Sequence, residues 1–197
     1  MKTNALIIFV RNPVLGKVKT RLALTVGDEK ALEIYHELLK HTMTITQSID
    51  CDKYVFYDNA IENNDIWLNE KFYKKLQLGS DLGQKIQNAF QELFNLGYKN
   101  CIIVGSDLFD LQPQHITAAF DQLEKNDVVI GPAEDGGYYL LGLKNMILSL
   151  FENKNWGTAT VLSETLKDLE NYNKCFLETL NDIDTFEDLE KSKYFNR

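Results

Sequence analysis

Arg11, Lys17, Lys19 and Arg21 fall within one short stretch, Arg11-Asn-Pro-Val-Leu-Gly-Lys-Val-Lys-Thr-Arg-Leu22, that holds no carboxylate. Asp28 is the first acid of the chain, so residues 1–27 (with Lys2) carry +5 on a chain of net charge −8, leaving −13 for the rest. Arginine presents a planar fork of donors and lysine a point charge, and both suit phosphate oxygens. Pro13 fixes φ and Gly16 permits close backbone approach, so this turn can bring its cations onto a ligand. A solvated basic loop is the plain alternative. Placement favours phosphate. The apolar run Ala5-Leu-Ile-Ile-Phe-Val10 just before it reads as a buried parallel strand, and α/β folds bind phosphorylated ligands at the carboxyl ends of such strands. Two familiar loops are excluded. Gly16-Lys17 is followed by Val18 and no glycine lies five positions earlier, so the Walker spacing is missing. A Gly-x-Gly-x-x-Gly fingerprint is missing too.

Two acidic strand ends complement the cations. Gly105-Ser106-Asp107-Leu-Phe-Asp110 follows the apolar Ile102-Ile-Val104. Ser106 joins the expected phosphate contacts. A carboxylate at the position of Asp107 can hold Mg²⁺ or Mn²⁺ against a diphosphate, because hard cations take oxygen ligands and need only one or two from protein. Asp110 reads as the cap of a helix opening near Pro113. Asn181-Asp182-Ile-Asp184-Thr185 follows the last expected strand. Asp184 is either the cap of the closing helix or a second metal ligand, with Asp182 the weaker candidate. A third feature is Gly131-Pro-Ala-Glu134-Asp135-Gly136-Gly137-Tyr-Tyr-Leu-Leu-Gly142. A plain hairpin turn explains Gly136-Gly137 but not Glu134 and Asp135 beside Pro132, so Asp135 is expected to contact ligand. Trp156-Gly-Thr158 either closes over a sugar or base or is packed structure. His36, His41 and His115 read as structural, and no Ser-His-Asp or Cys-His grouping is suggested.

These residues need a scaffold, and the patterning supplies one. Helical periodicity covers Asp28 to Ile49, with Leu32, Tyr35, Leu39 and Met43 on one apolar face. It also covers Asp81 to Leu96 (capped by Ser80 or Asp81, stopped by Gly97), Pro113 to about Lys125, Ser163 to Glu170 and Thr185 to Lys191. Strands are expected at Lys53–Tyr57, Cys101–Gly105, Asp127–Gly131, Tyr138–Gly142 (antiparallel) and Lys174–Leu180. Asn64 to Leu78 has no clear assignment. The alternation implies an α/β three-layer sandwich with a mainly parallel central sheet. At 197 residues, 44% hydrophobic and 25% charged, the chain is expected to form one domain over 1–197. No apolar run approaches the roughly 18–20 residues of a membrane span. The amino terminus runs into the cationic loop without a cleavage site, so it reads as a strand rather than a signal peptide. Cys51, Cys101 and Cys175 are scattered without metal spacing, which suggests a reducing cytoplasm. An acidic chain is a poor nucleic-acid binder.

Taken in order, Pro13-Val-Leu-Gly-Lys-Val-Lys-Thr-Arg-Leu-Ala23, Gly105-Ser-Asp107, the Gly131–Gly142 block, Trp156-Gly-Thr158 and Asp182-Ile-Asp-Thr-Phe-Glu-Asp-Leu189 resemble the DUF2064 family over nearly the whole chain. That family is described as glycosyltransferase-like and related to the phospholactate guanylyltransferases. The resemblance implies the GT-A, or nucleotide-diphospho-sugar transferase, fold. It also implies nucleotide-phosphate contacts by Arg11, Lys19 and Arg21, a strand-end metal ligand at Asp107, and a place near sugar or acceptor for Asp135. The family usually has proline where this chain has Phe109, a change expected to loosen the backbone after Asp107.

Three functions are consistent with these residues. The first is a Mg²⁺- or Mn²⁺-dependent glycosyltransferase moving a sugar from a nucleoside diphosphate sugar to a small-molecule acceptor. In it Asp135 is the base, Lys19 stabilises the leaving diphosphate, Arg11, Pro13, Gly16, Lys17, Lys19, Arg21 and Ser106 bind phosphate, and Asp107 and Asp184 bind metal. Glu134, Asp135, Gly136, Gly137, Trp156 and Thr158 then form the substrate side. The second is a nucleotidyltransferase joining an NTP to a small phosphorylated compound with release of pyrophosphate. The third is a non-catalytic nucleotide-binding module.

Overall fold

The computed structural model describes residues 3–195. Lys2 and the outermost positions of the expected 1–197 domain therefore lie outside the described residues.

The strands are β1 (Asn4–Val10), β2 (Asp52–Tyr57), β3 (Tyr73–Leu76), β4 (Asn100–Val104), β5 (Val128–Pro132), β6 (Tyr138–Leu143) and β7 (Lys174–Phe176). They form a seven-stranded sheet in the order β3-β2-β1-β4-β6-β5-β7. Only β6 runs antiparallel to its neighbours. The helices are α1 (Thr20–Val26), α2 (Asp28–Gln47), α3 (Leu82–Asn95), α4 (Pro113–Leu123), α5 (Val161–Asp168) and α6 (Phe186–Lys191), with a 3₁₀ turn at Leu148–Phe151.

Near-continuous apolar strands make sense because both sheet faces are covered. Side chains alternate between two cores. Leu6, Ile8, Val55, Ile102 and Val104 pack against Tyr35 and Leu39 of α2 and Ile116 and Phe120 of α4. Ala5, Ile7, Phe56, Cys101 and Ile103 pack against Ile86, Phe90 and Leu93 of α3 on the other face. A third cluster joins Leu22 of α1, Ile34 and Leu38 of α2 and Leu189 of α6. Long helix α2 thus buries two stripes, one more than its Leu32–Met43 face predicts.

Several boundaries differ from the sequence expectation for local reasons. The cationic stretch is not all loop, since α1 begins at Thr20. The unassigned Asn64–Leu78 segment buries Trp67 and ends in the parallel edge strand β3. Only three residues of Lys174–Leu180 pair as a strand, with an isolated bridge at Leu180. Asp81 caps α3, accepting from the Gln84 N–H at 2.9 Å. Asp110 does not cap α4. Gln112 takes that place, and Asp110 accepts from the Lys193 N–H instead. Asp184 does not cap α6 either, because Thr185 does.

Strand order decides where a ligand can bind. β1 and β4 are neighbours although their following segments lead away in opposite directions across the sheet, and such a crevice outside the carboxyl ends is where open α/β sheets take ligands. Because β6 is reversed, the turn leading into it, 133–137, also lies at this edge. Gly136 holds that turn at φ +88°, and a Cβ there would meet the Ala159 carbonyl oxygen at 2.4 Å. No helix among the described residues is long and apolar enough to cross a membrane. Gly136→Ala is expected to lower stability by about 2 kcal/mol, read as a lower urea midpoint with an unchanged slope.

Candidate functional site

The loop after β1 is built to be rigid. Buried Asn12 accepts through its side-chain oxygen from the N–H groups of Asn59 and Ala60 and donates to the Ala60 carbonyl. Its own N–H donates to Asp58 Oδ1 at 2.7 Å, so the loops after β1 and β2 are one unit. Tyr35 of α2 accepts from the Arg11 N–H at 2.9 Å and lies 3.4 Å from Ser106 Oγ after β4. Burial pushes its hydroxyl up to about 12, so it stays a neutral donor and acceptor.

Lys19 carries the geometry of the site. It is only 8% exposed and sits at the start of α1 with φ +48° and ψ +42°, a left-handed backbone that an L-residue seldom adopts. Such outliers cost of order 1–3 kcal/mol and gather at functional sites. From that position Nζ reaches Asp107 Oδ2 at 3.1 Å and Asp184 Oδ1 at 4.0 Å. Arg21 Nη1 holds the other oxygen of Asp184 at 2.7 Å. The two acidic loops are joined by backbone as well, since the Ile183 N–H donates to the Asp107 carbonyl at 3.1 Å. Gly105 leaves room for the carboxylate, because a Cβ there would lie 2.8 Å from Asp107 Oδ1.

Two cavities meet at Asp107. The larger, about 590 Å³, is lined by Arg11, Lys19, Arg21, Ser106, Asp107 and Asp184, with Tyr35, Asp58, Gln77, Asp81 and Lys85. The smaller, about 220 Å³, is lined by Asp107, Asp135, Gly137, Tyr138, Trp156, Thr158 and Asp182. Leu82, Gly105 and Asp107 belong to both. The expected phosphate residues and the expected substrate residues thus separate into adjoining spaces.

Not every expected residue lines them. Pro13, Gly16 and Lys17 form the outer turn, with Gly16 and Lys17 exposed. Glu134 is exposed, and its N–H donates to the Leu180 carbonyl. Gly136 packs on Ala159 instead of a cavity. Asp135 accepts from the Gly137 N–H at 2.8 Å, so it fastens its own turn while lining the smaller cavity. Trp156 is half-buried, sits edge-on to Tyr138 and lies against Gly83 at the start of α3.

Sequence reasoning ranked Asp182 below Asp184 and passed over the Gln77–Lys85 segment. Burial pushes the Asp182 carboxyl up to about 7, with Asp107 and Asp135 adding like-charge repulsion and Lys19 opposing it. The Asp-x-Asp spacing was visible, but not which member turns inward. In Gln77, the amide donates to the Val10 and Phe56 carbonyls at 3.0 and 2.9 Å, closing the far end of the larger cavity.

For a divalent ion the donor set is sparse. No group of three or more His, Cys, Asp or Glu residues among those described converges as a ready-made cage. Asp107 with Asp184 or Asp182 fits a different pattern, in which one or two carboxylates hold Mg²⁺ and the phosphates of a ligand complete its shell.

Residues 41–158 match the profile of DUF2064, a family described as an uncharacterized protein conserved in bacteria. The chain belongs to the DUF2064 family. A protein from Desulfovibrio desulfuricans G20, provisionally described as a nucleotide-diphospho-sugar transferase, is 31% identical. It superposes with a TM-score of 0.90 over 96% of this chain and 85% of its own. The 4-diphosphocytidyl-2C-methyl-D-erythritol synthase of Anaerococcus prevotii DSM 20548 is 12% identical, with a TM-score of 0.63 over 100% of this chain and 97% of its own. Rv0371c of Mycobacterium tuberculosis H37Rv, in complex with manganese, is 9% identical with a TM-score of 0.56 over 97% of each chain. The last two likenesses are of fold alone. No curated protein matches in sequence. This DUF2064 chain therefore has the nucleotide-diphospho-sugar transferase fold.

Asp182 makes the site pH-sensitive in a defined direction. Its folded pKa lies above the ordinary carboxyl value, so the native state holds the proton more tightly and ionisation opposes folding. That cost is absent below about pH 4 and complete above about pH 7. In metal-free buffer, Asp182→Asn should melt at a higher temperature than wild type at pH 8 and at the same temperature at pH 4, as thermal denaturation would record.

Proposed function

We propose that this DUF2064 chain works as one cytoplasmic transferase unit that moves a sugar from a nucleoside diphosphate sugar to a small-molecule acceptor. The observation that carries this reading is the meeting of the two cavities at the Lys19–Asp107 pair. The cation-bearing cavity takes the nucleotide and its diphosphate, and the smaller one takes the sugar and acceptor. Arg11 and Lys85 make no ion pair among the described residues, so they are available to phosphate.

In this reading Lys19, Arg11 and Arg21 bind the diphosphate and stabilise it as it leaves. Asp107, with Asp184 or Asp182, would hold Mg²⁺ or Mn²⁺ against the same phosphates. When bound, that ion supplies Lewis-acid neutralisation of the leaving group. The manganese complex of fold-related Rv0371c is in keeping with this. The bond between the anomeric carbon and the diphosphate oxygen breaks, and the bond to the acceptor oxygen forms. Asp135 takes the acceptor's proton, with its Gly137 hydrogen bond fixing the carboxylate. Tyr138, Trp156 and the 133–137 turn exclude water from the smaller cavity.

One observation favours a nucleotidyltransferase as the second reading. The larger cavity offers four cations, Arg11, Lys19, Arg21 and Lys85, which suits a triphosphate. The named activity of the fold-related A. prevotii enzyme belongs to that class.

Product analysis separates the two. Incubation with sugar nucleotides should release nucleoside diphosphate, whereas pyrophosphate released from an NTP would favour the second reading. The site itself is tested by titration with nucleoside diphosphates, with and without Mn²⁺. Lys19→Ala should weaken binding by about tenfold or more, and Asp107→Ala should abolish the metal dependence. Unaltered titrations in both variants would refute the assignment.

A further inference from the structure

The two cavities differ in charge in a way that restricts what the smaller one can hold. The larger is lined by four cations, Arg11, Lys19, Arg21 and Lys85, matched by four acids, Asp58, Asp81, Asp107 and Asp184. The smaller is lined by three carboxylates, Asp107, Asp135 and Asp182, and by no lysine, arginine or histidine. Of the three, only Asp107 has a cationic partner among the described residues. Asp182 feels Lys19 without touching it, and Asp135 makes no ion pair among the described residues. Asp135 accepts one backbone N–H, which fixes its position without neutralising it.

The rest of the wall is apolar or aromatic. Leu82, Ile86, Leu108, Val161, Tyr138 and Trp156 surround the acids. These apolar groups offer an anion no donor of their own. An anionic group entering would give up part of its hydration to a wall that holds three acidic side chains and no lysine, arginine or histidine to replace the water. Hydroxyl and ammonium groups meet the opposite situation, because ionised carboxylates only accept and each oxygen can take more than one donor. At about 220 Å³ the space is small for a ligand pocket, and it suits a group of monosaccharide size.

We infer that the substrate group seated in the smaller cavity is a compact, hydroxyl-rich group without negative charge, uncharged or bearing an ammonium, and that phosphorylated or carboxylated groups are turned away there. This rests on the proposed function in that the group is the sugar or acceptor of the same reaction. It also narrows the second reading, since any phosphate of a joined compound must lie on the cationic side of Asp107 and only its uncharged remainder beyond.

Saturation-transfer NMR on the full chain in metal-free buffer tests this without any nucleotide. The probes are methyl glucoside, glucosamine, glucuronate and glucose 6-phosphate. Transfer to the first two is expected, with the two anions weaker by roughly tenfold or more, and Trp156→Ala should abolish it. Asp135→Lys should admit glucuronate, a gain that misfolding cannot produce. Equal transfer to the anions, no transfer to any probe, or exclusion of glucuronate by Asp135→Lys would each overturn the inference. Failure of the nucleotide reading would appear elsewhere, as absent binding of nucleoside diphosphates, and would leave the sugar result standing.

Discussion

A lysine ammonium almost wholly withdrawn from water is unstable unless a carboxylate meets it, and the Lys19–Asp107 ion pair is the constraint on which this sheet edge depends. The pair closes the crevice between β1 and β4. Its two halves come from segments 88 residues apart in sequence, brought together by the pairing of β1 with β4. Each half is held by something other than the ion pair. Lys19 is aimed by a left-handed residue at the start of α1, and Leu22 of that helix is buried against α2 and α6. Asp107 is held by the Ile183 N–H bond and by the space at Gly105. The backbone strain at Lys19 has a use under this arrangement, since a relaxed backbone would turn the ammonium out of the crevice. An arriving phosphate or divalent ion must then compete for Lys19 or Asp107 with the other half of the pair. That competition couples the cationic loop to the acidic one.

The reversed strand β6 gives the site its second half. In a wholly parallel sheet, the chain leaving β5 would cross a face before returning, and its connecting turn could not sit beside Asp107. Running β6 antiparallel between β4 and β5 brings the 133–137 turn to the ligand edge directly. Asp135 and Tyr138 arrive with it. The result is a division of labour by charge, with cations clustered on the β1 side and carboxylates without lysine or arginine among them on the β6 side. The chain's acidity is thus unevenly spread, since the larger cavity has four cations among its lining residues and the smaller has none.

The sequence made the central strands, helices α2 to α6 and the antiparallel sense of β6 legible, because apolar runs, caps and helical periodicity are local signals. It also made Lys19, Arg21, Asp107 and Asp184 legible as a group, because like chemistry recurred at strand ends. What it concealed was three-dimensional. Helix α1 is short and lies inside a stretch whose charges and turn residues read as loop. Edge strand β3 is half-exposed and lacks a buried face to impose alternation. The inward turn of Asp182 depends on the backbone bond between Ile183 and Asp107, a contact no local pattern announces. Asp110 read as a helix cap and Asp184 as either a cap or a metal ligand, yet Gln112 and Thr185 do the capping, since capping is decided by backbone angles within one residue.

Phe109 shows how a departure from a motif can be compensated. A proline there would restrict the backbone after Asp107 through its ring. Phenylalanine gives no such restriction, but it anchors the loop from the side-chain end. Its ring lies 4.6 Å from His41 of α2 and 5.4 Å, edge-on, from Tyr194. His41 in turn bonds the Leu111 carbonyl through Nε2 at 2.8 Å. The loop 107–111 is therefore clamped between the long helix and the carboxyl-terminal segment, with Leu108 and Leu111 buried beneath it. The covalent constraint is replaced by packing, which ties the position of Asp107 to the docking of residues 181–194. Those same residues supply Asp182 and Asp184, so one packing interaction sets the register of all three carboxylates.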